Sequence, residues 1–106
     1  MGFEYRLKFA DPDWYTTNLP RIADQIRAAP HFKAELPRYE FRLKDETIEN
    51  SWSYDLRIFL RDTCVEIEVS ASTSTFYSDL RSILEWIRRQ SPVEMIDDDG
   101  ATVERS

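Results

Sequence analysis

The strongest pattern in the sequence lies in residues 52–72, where apolar and polar residues alternate on both sides of a short polar break. Such alternation places one face of an extended strand in a core and the other in solvent. Folding the segment at its midpoint sets Leu60 opposite Val65 and keeps all apolar residues on one face. This register requires an even loop, because a shift by one residue would pair apolar with polar positions. We therefore predict a β-hairpin with a two-residue or four-residue loop, the longer one spanning residues 61–64.

Four other segments have strand character. Residues 3–9 and 39–44 alternate aromatic or aliphatic side chains with charged ones, which is typical of half-buried strands. The pattern in residues 93–96 predicts a short edge strand. Residues 101–103 are expected to form a final arm that frays.

Helical periodicity begins after the first strand. Residues 11–13 carry turn chemistry, and apolar residues then recur at helical spacing across residues 19–26. Thr17 or Asn18 is a suitable N-cap, and Pro30 ends the pattern because its predecessor avoids the α region. The first helix is thus predicted to span about three turns.

The second helix is predicted from the apolar stripe that starts at Phe76 and ends before Pro92. Asp79 near its start has the charge that complements the helix dipole. Residues 31–37 are assigned to a connection.

These elements predict one α+β domain covering residues 1–106, with a frayed acidic tail at 97–106. The element order is β-α-β-β-β-α-β. Each main strand has one apolar face, so two helices on one side of a mostly antiparallel sheet would bury all the apolar faces. We expect a two-layer α/β sandwich with four to five strands.

The charge distribution limits the classes of partner. The chain carries a net charge of −6 and has a pI near 4.8. Residues 94–106 contribute one Arg and five acidic residues, so −4 of the total lies in this tail. An acidic chain is repelled by phosphate backbones and anionic lipids, and no apolar run is long enough to span a bilayer. We expect no nucleic acid and no membrane partner.

No residue set predicts catalysis, a metal or another cofactor. Cys64 and His31 are single residues without a surrounding signature, so a zinc site and a catalytic triad are not supported. The acidic run before Gly100 lacks two ligands of an EF-hand loop and is interpreted as a solvated turn. The segment Met1–Lys8 lacks a secretion signal, and one cysteine cannot form an intrachain disulfide, so we expect a cytoplasmic protein.

The aromatic residues suggest a binding surface. Tryptophan and tyrosine favour interfaces because they combine a large apolar area with a polar group. Packing at the edge of the core remains the alternative for these side chains. The predicted contacts with a basic partner protein are Trp14, Tyr15, Trp52, Trp86, Asp97, Asp98 and Asp99. In its general layout, this small acidic α+β chain resembles protein inhibitors of the immunity or antitoxin type.

The second hypothesis is a ligand-binding or enzymatic cleft beside the hydroxyl-rich segment 70–75. A helix N-terminus attracts anions, although phosphate loops need glycine for close backbone approach and none is present here. The absence of an acid, base and nucleophile set favours a binding module over an enzyme. The residues proposed for this alternative site are Ser72, Thr73, Ser74 and Thr75.

Overall fold

The structure is a computed structural model, which describes residues 3–44, 56–69, 74–97, 99–100 and 102–105. Over these residues the chain forms seven strands and two helices. In chain order they are β1 (Phe3–Phe9), α1 (Pro12–Arg27), β2 (Phe32–Leu36), β3 (Glu40–Leu43), β4 (Leu56–Leu60), β5 (Cys64–Val69), α2 (Ser74–Gln90), β6 (Val93–Asp97) and β7 (Thr102–Arg105).

The strands form a single antiparallel sheet in the order β2-β3-β4-β5-β1-β6-β7. The central strand β5 therefore belongs to the predicted hairpin, and the N-terminal strand β1 lies between β5 and β6. The predicted fold class and the order of the predicted elements are confirmed. The sheet is larger than expected, with seven strands rather than four to five.

The hairpin formed by β4 and β5 has the predicted register. Ile58 pairs with Ile67 and Leu60 pairs with Val65. Cys64 is the first residue of β5, so residues 61–63 connect the strands and the longer predicted loop, 61–64, is too long by one residue. The backbone N–H of Arg61 donates to the carbonyl of Cys64 at 2.9 Å. Cross-strand apolar pairs determine the register of a sheet, because a slip by one residue would expose every one of them.

Strand β2 occupies the segment 31–37 that we assigned to a connection, so that assignment was wrong. Phe32, Ala34 and Leu36 alternate with two charged residues, and the apolar members are half-buried against the core. The strand has only five residues and lies between two prolines, so its pattern is weak in isolation. Pairing with β3 stabilises it.

The turn between β2 and β3 has an unusual backbone. Arg38 and Tyr39 have φ values of 65° and 60°, in the left-handed region that favours glycine. Each such residue costs roughly 1–2 kcal/mol. The N–H of Leu60 donates to the carbonyl of Tyr39 at 3.1 Å, so a contact with β4 helps to hold the turn.

Helix α1 begins earlier than predicted. Its N-cap is Asp11, whose carboxylate accepts the backbone N–H of Trp14 at 3.2 Å, and Pro12 follows as the first helical residue. Proline suits this position because its missing N–H would have no helical partner. The proposed caps, Thr17 and Asn18, lie inside the helix.

Pro20 lies in the interior of α1. It has no N–H to donate to the carbonyl of Thr16, which a regular helix would require. The Nδ2 group of Asn18 donates to the carbonyl of Trp14 at 2.9 Å, so the side chain predicted to cap the helix supports its first turn instead.

The core lies between the helices and one face of the sheet. Both helices contribute an apolar stripe, and the inward side chains of β1, β3, β4, β5 and β6 complete the cluster. The buried hydrophobic members are Leu7, Phe9, Tyr15, Ile22, Ala23, Ile26, Phe41, Leu43, Leu56, Ile58, Leu60, Val65, Ile67, Val69, Leu80, Ile83, Leu84, Ile87, Val93 and Met95.

Candidate functional site

Two of the predicted partner contacts, Trp14 and Trp86, meet at the surface of the helix layer. Helix α1 begins where β1 ends, and α2 ends where β6 begins, so the antiparallel helices bring these side chains together. Their ring centroids lie 6.5 Å apart. Both side chains are partly exposed and pack against the core, with the ring of Trp14 stacked 6.0 Å from that of Phe9.

A guanidinium group lies over this pair. The Cζ atom of Arg21 is 5.6 Å from the ring centroid of Trp86, within the range of a cation–π contact. One nitrogen of Arg21 donates to Asn18 at 3.0 Å. We name Trp14, Trp86 and Arg21 the tryptophan patch.

Tyr15 was predicted to contact a partner, and its burial shows that this prediction was wrong. Its side chain is fully buried and stacks on Phe9 at 4.6 Å, so it offers no surface to a partner. Its hydroxyl lies 2.5 Å from the carbonyl of Arg61 and 3.0 Å from that of Cys64. Burial raises the pKa of the Tyr15 phenol, which therefore remains a hydrogen-bond donor to the hairpin loop.

The acidic run before Gly100, which includes Asp97 and Asp99 and is called the acidic turn below, is separate from the tryptophan patch. Trp14 contacts Phe9, which pairs with Val93, whereas Asp97 pairs with Tyr5, four residues away along β1. At about 3.3 Å per residue this is about 13 Å along the strand. The predicted contacts therefore divide between two surfaces.

Within the acidic turn, the carboxylate of Asp97 accepts the N–H of Asp99 at 3.0 Å. Gly100, with a φ of 86°, donates its N–H to the carbonyl of Asp97 at 3.1 Å. This geometry agrees with the turn predicted before the last strand. Asp98 and Trp52 lie outside the described residues.

The alternative site is described only in part. Ser72 and Thr73 lie outside the described residues, and Ser74 and Thr75 form the start of α2.

A pocket of about 190 Å³ opens near the start of β1, where β1 lies between β5 and β6. Three glutamates and one arginine of this lining lie on the outward face of the sheet and give it a formal charge of −2, whereas Asp97 pairs with Tyr5 on the opposite face. The lining residues are Glu4, Tyr5, Arg6, Glu66, Ile67, Glu68 and Asp97. We name this feature the acidic pocket. Asp97 is the one residue of the predicted contact set that lines it.

Like charges face each other across this pocket. Glu4 and Glu68 are direct partners in the pairing of β1 with β5, an arrangement that is unfavourable for two carboxylates. Glu68 forms an ion pair with Arg57. For Glu4, no ion pair occurs within the described part of the chain.

The rest of the outward sheet face is largely self-paired. Arg57 contacts Glu68 and lies 3.6 Å from Glu40, which is also 2.9 Å from Arg42. Phe59 lies among these charges and is nearly buried, with two guanidinium groups near its ring. Cations already paired with carboxylates are less available to an external anion.

His31 and Asp79 form a contact that the sequence analysis missed. Both the backbone N–H and the ring Nδ1 of His31 lie 2.9 Å from one carboxylate oxygen of Asp79. Asp79 is only 4% exposed and lies beyond the first turn of α2, so the expected dipole role near the helix start is wrong. This carboxylate instead joins α2 to the segment that precedes β2.

Replacing Asp79 with alanine should destabilise the fold by about 1–3 kcal/mol, because the backbone N–H of His31 would lose its acceptor. Urea denaturation measures this change. The matched control is Asp24→Ala, since Asp24 is exposed and pairs with Arg27 on the surface, where about 1 kcal/mol or less is expected. Equal losses for the two variants would contradict a special role for Asp79.

Cys64 has the properties of a structural thiol. It lies at the start of β5, and burial together with the nearby charge of Glu66 raises its pKa despite Arg6 and Arg61. A raised pKa reduces the thiolate fraction and therefore the nucleophilicity of the group.

Two features are absent from the described residues, a metal-binding cluster and a membrane-spanning helix. No group of three or more His, Cys, Asp or Glu side chains in these ranges could hold a metal ion. Neither described helix is long and apolar enough to cross a membrane.

No protein-family model matches the chain, and comparisons with curated proteins and with solved structures find no significant match.

Proposed function

We propose that this protein is a small acidic interaction module that binds a basic partner protein. The observation that carries the proposal is the acidic pocket, in which Glu4 lies opposite Glu68 without an ion pair of its own among the described residues. A lysine or arginine side chain placed between these carboxylates would relieve their repulsion and form charge-assisted hydrogen bonds.

The size of the pocket supports a side chain as its occupant. Sites for small organic ligands typically enclose about 300–1,000 Å³. The acidic pocket, at about 190 Å³, is smaller. It would accept one basic side chain, while the surrounding surface contacts the rest of the partner.

The net charge supports the same class of partner. A chain with a charge of −6 attracts a basic protein over distances comparable to the Debye length, about 8 Å at physiological ionic strength. This attraction accelerates association more than it strengthens the final complex. An inhibitor of the immunity or antitoxin type, which neutralises a basic enzyme, is the form of the proposal that best suits a small acidic α+β domain.

Glu4→Lys tests the proposal. It changes the pocket charge by two units and should slow association with the captured partner by about tenfold at low salt. It also removes the repulsion with Glu68, so the fold should be at least as stable as the original. The experiment captures partners from a native lysate on the original protein and then measures association rates at several salt concentrations.

Glu85→Lys is the matched control. Glu85 is exposed on α2 and does not line the pocket, so this substitution makes the same change in net charge at a distance from the proposed site. Its association rate should fall less than that of Glu4→Lys. Equal rates for the two variants would contradict the proposed site.

A further inference from the structure

The tryptophan patch differs in charge from the acidic pocket and lies on another surface of the molecule. Arg21 lies over the Trp86 ring, and Arg89 follows Trp86 by three residues on α2. Residues three apart are neighbours on a helix surface. Arg21 and Arg89 are both exposed, and neither forms an ion pair with a carboxylate of the described chain.

Helical geometry decides which charges border the tryptophans. At about 100° per residue, Arg21 lies about 20° from Trp14 around α1, and Arg89 about 60° from Trp86 around α2. The acidic residues next to the tryptophans in sequence, Asp13 and Glu85, each precede one by one residue and so lie about 100° away. Asp79 lies about 20° from Trp86 around α2, but it is two turns away and buried against His31. The border of the patch is therefore cationic although the whole chain is acidic.

The remaining hydrogen-bonding capacity of the arginines points to a carboxylate. Arg21 uses one nitrogen for the side chain of Asn18, and Arg89 donates through Nε to the carbonyl of Glu85 at 3.3 Å. A guanidinium group has five N–H donors, so most remain for another acceptor. Tryptophan and arginine are also the residue types that most often dominate binding energy at protein interfaces.

We infer that the tryptophan patch, together with Arg89, is a second docking surface and binds an acidic segment of another protein. An aliphatic or aromatic side chain of that segment covers Trp14 and Trp86, and flanking carboxylates bind Arg21 and Arg89. This inference goes beyond the proposed function, because the ligand has the opposite charge and the surface is a different one.

An acidic protein segment suits the patch better than a nucleic acid. A phosphate backbone presents a charge at every nucleotide, while only two arginines border the tryptophans. A short peptide segment needs only one or two carboxylates and adds the apolar side chain that the indole rings can cover.

The test is an NMR titration that follows the indole N–H resonances of the full chain. The probe is the capped hexapeptide Glu-Glu-Leu-Phe-Glu-Glu, and the matched control is Lys-Lys-Leu-Phe-Lys-Lys. The acidic peptide should shift the resonances of Trp14 and Trp86, and the basic peptide should not. Arg21→Gln should weaken binding of the acidic peptide by at least about tenfold, the loss of a hydrogen bond to a charged group.

Three outcomes would overturn this inference. They are indole resonances that remain unchanged up to the solubility limit of the acidic peptide, equal binding to the Arg21→Gln variant, and stronger binding of an oligothymidylate at the same resonances. The basic peptide also separates the two proposals. Its binding to the acidic pocket would shift the backbone amide resonances of Glu4 and Tyr5, which are independent of the indole resonances.

Discussion

Ile58→Asp should unfold the domain. Ile58 is 1% exposed on β4, where its neighbours across the sheet are Phe41 and Ile67. A carboxylate at this position would be buried without a partner in the centre of the core. We expect a loss above about 4 kcal/mol, a large part of the stability of a domain of this size.

Circular dichroism and thermal melting measure this effect. Thr63→Asp is the control, because it introduces the same charge at an exposed position of the hairpin loop and should change stability by about 0.5 kcal/mol or less. An Ile58→Asp variant that melts like the original protein would show that the faces of β4 are assigned the wrong way round.

Tyr15→Ala should lower the free energy of unfolding by about 3–5 kcal/mol, the usual loss for removing a buried aromatic ring. Its side chain is fully buried and stacks on Phe9. Tyr15→Phe should lower it by about 1–3 kcal/mol, because the ring remains but the carbonyls of Arg61 and Cys64 lose their donor. Chemical denaturation of both variants separates packing from hydrogen bonding.

The pH dependence of stability provides an independent check on Tyr15. Burial raises its pKa above that of the unfolded chain, so its contribution is complete below the unfolded value of about 10 and is lost as pH rises above it. The Tyr15→Phe variant should lack this part of the alkaline loss. Equal stability of the variant and the original protein at every pH would contradict a role for the hydroxyl.

The contrast between Tyr15 and Trp14 shows why adjacent aromatic residues could not be assigned from sequence. Both occur in the same short segment, and both were predicted to contact a partner. Successive helical residues differ by about 100° in direction, and Tyr15 lies seven residues before Ile22 on the buried stripe of α1. The stripe assigns Tyr15 to the core only if the helix extends back to include it. Asp11 and Pro12 can begin either a turn or a helix, and the structure has the helix.

For the candidate sites, the sequence predicted the types of residue available but not their arrangement. The sequence indicated that tryptophans and acidic residues were available for contacts, but not that they would form separate surfaces. Glu4 faces Glu68 because β1 inserts beside β5. His31 and Asp79 are 48 residues apart, so no local pattern could indicate their contact.

The sequence by itself determined the hairpin register, the apolar faces of the main strands and the α+β class, because side-chain alternation and helical periodicity are local properties. The tertiary structure decided the position of β1 in the sheet, the formation of β2 and the separation of the acidic pocket from the tryptophan patch. These features depend on contacts between distant segments. The residues that make those contacts have local patterns that are too short or too ambiguous to specify the contacts.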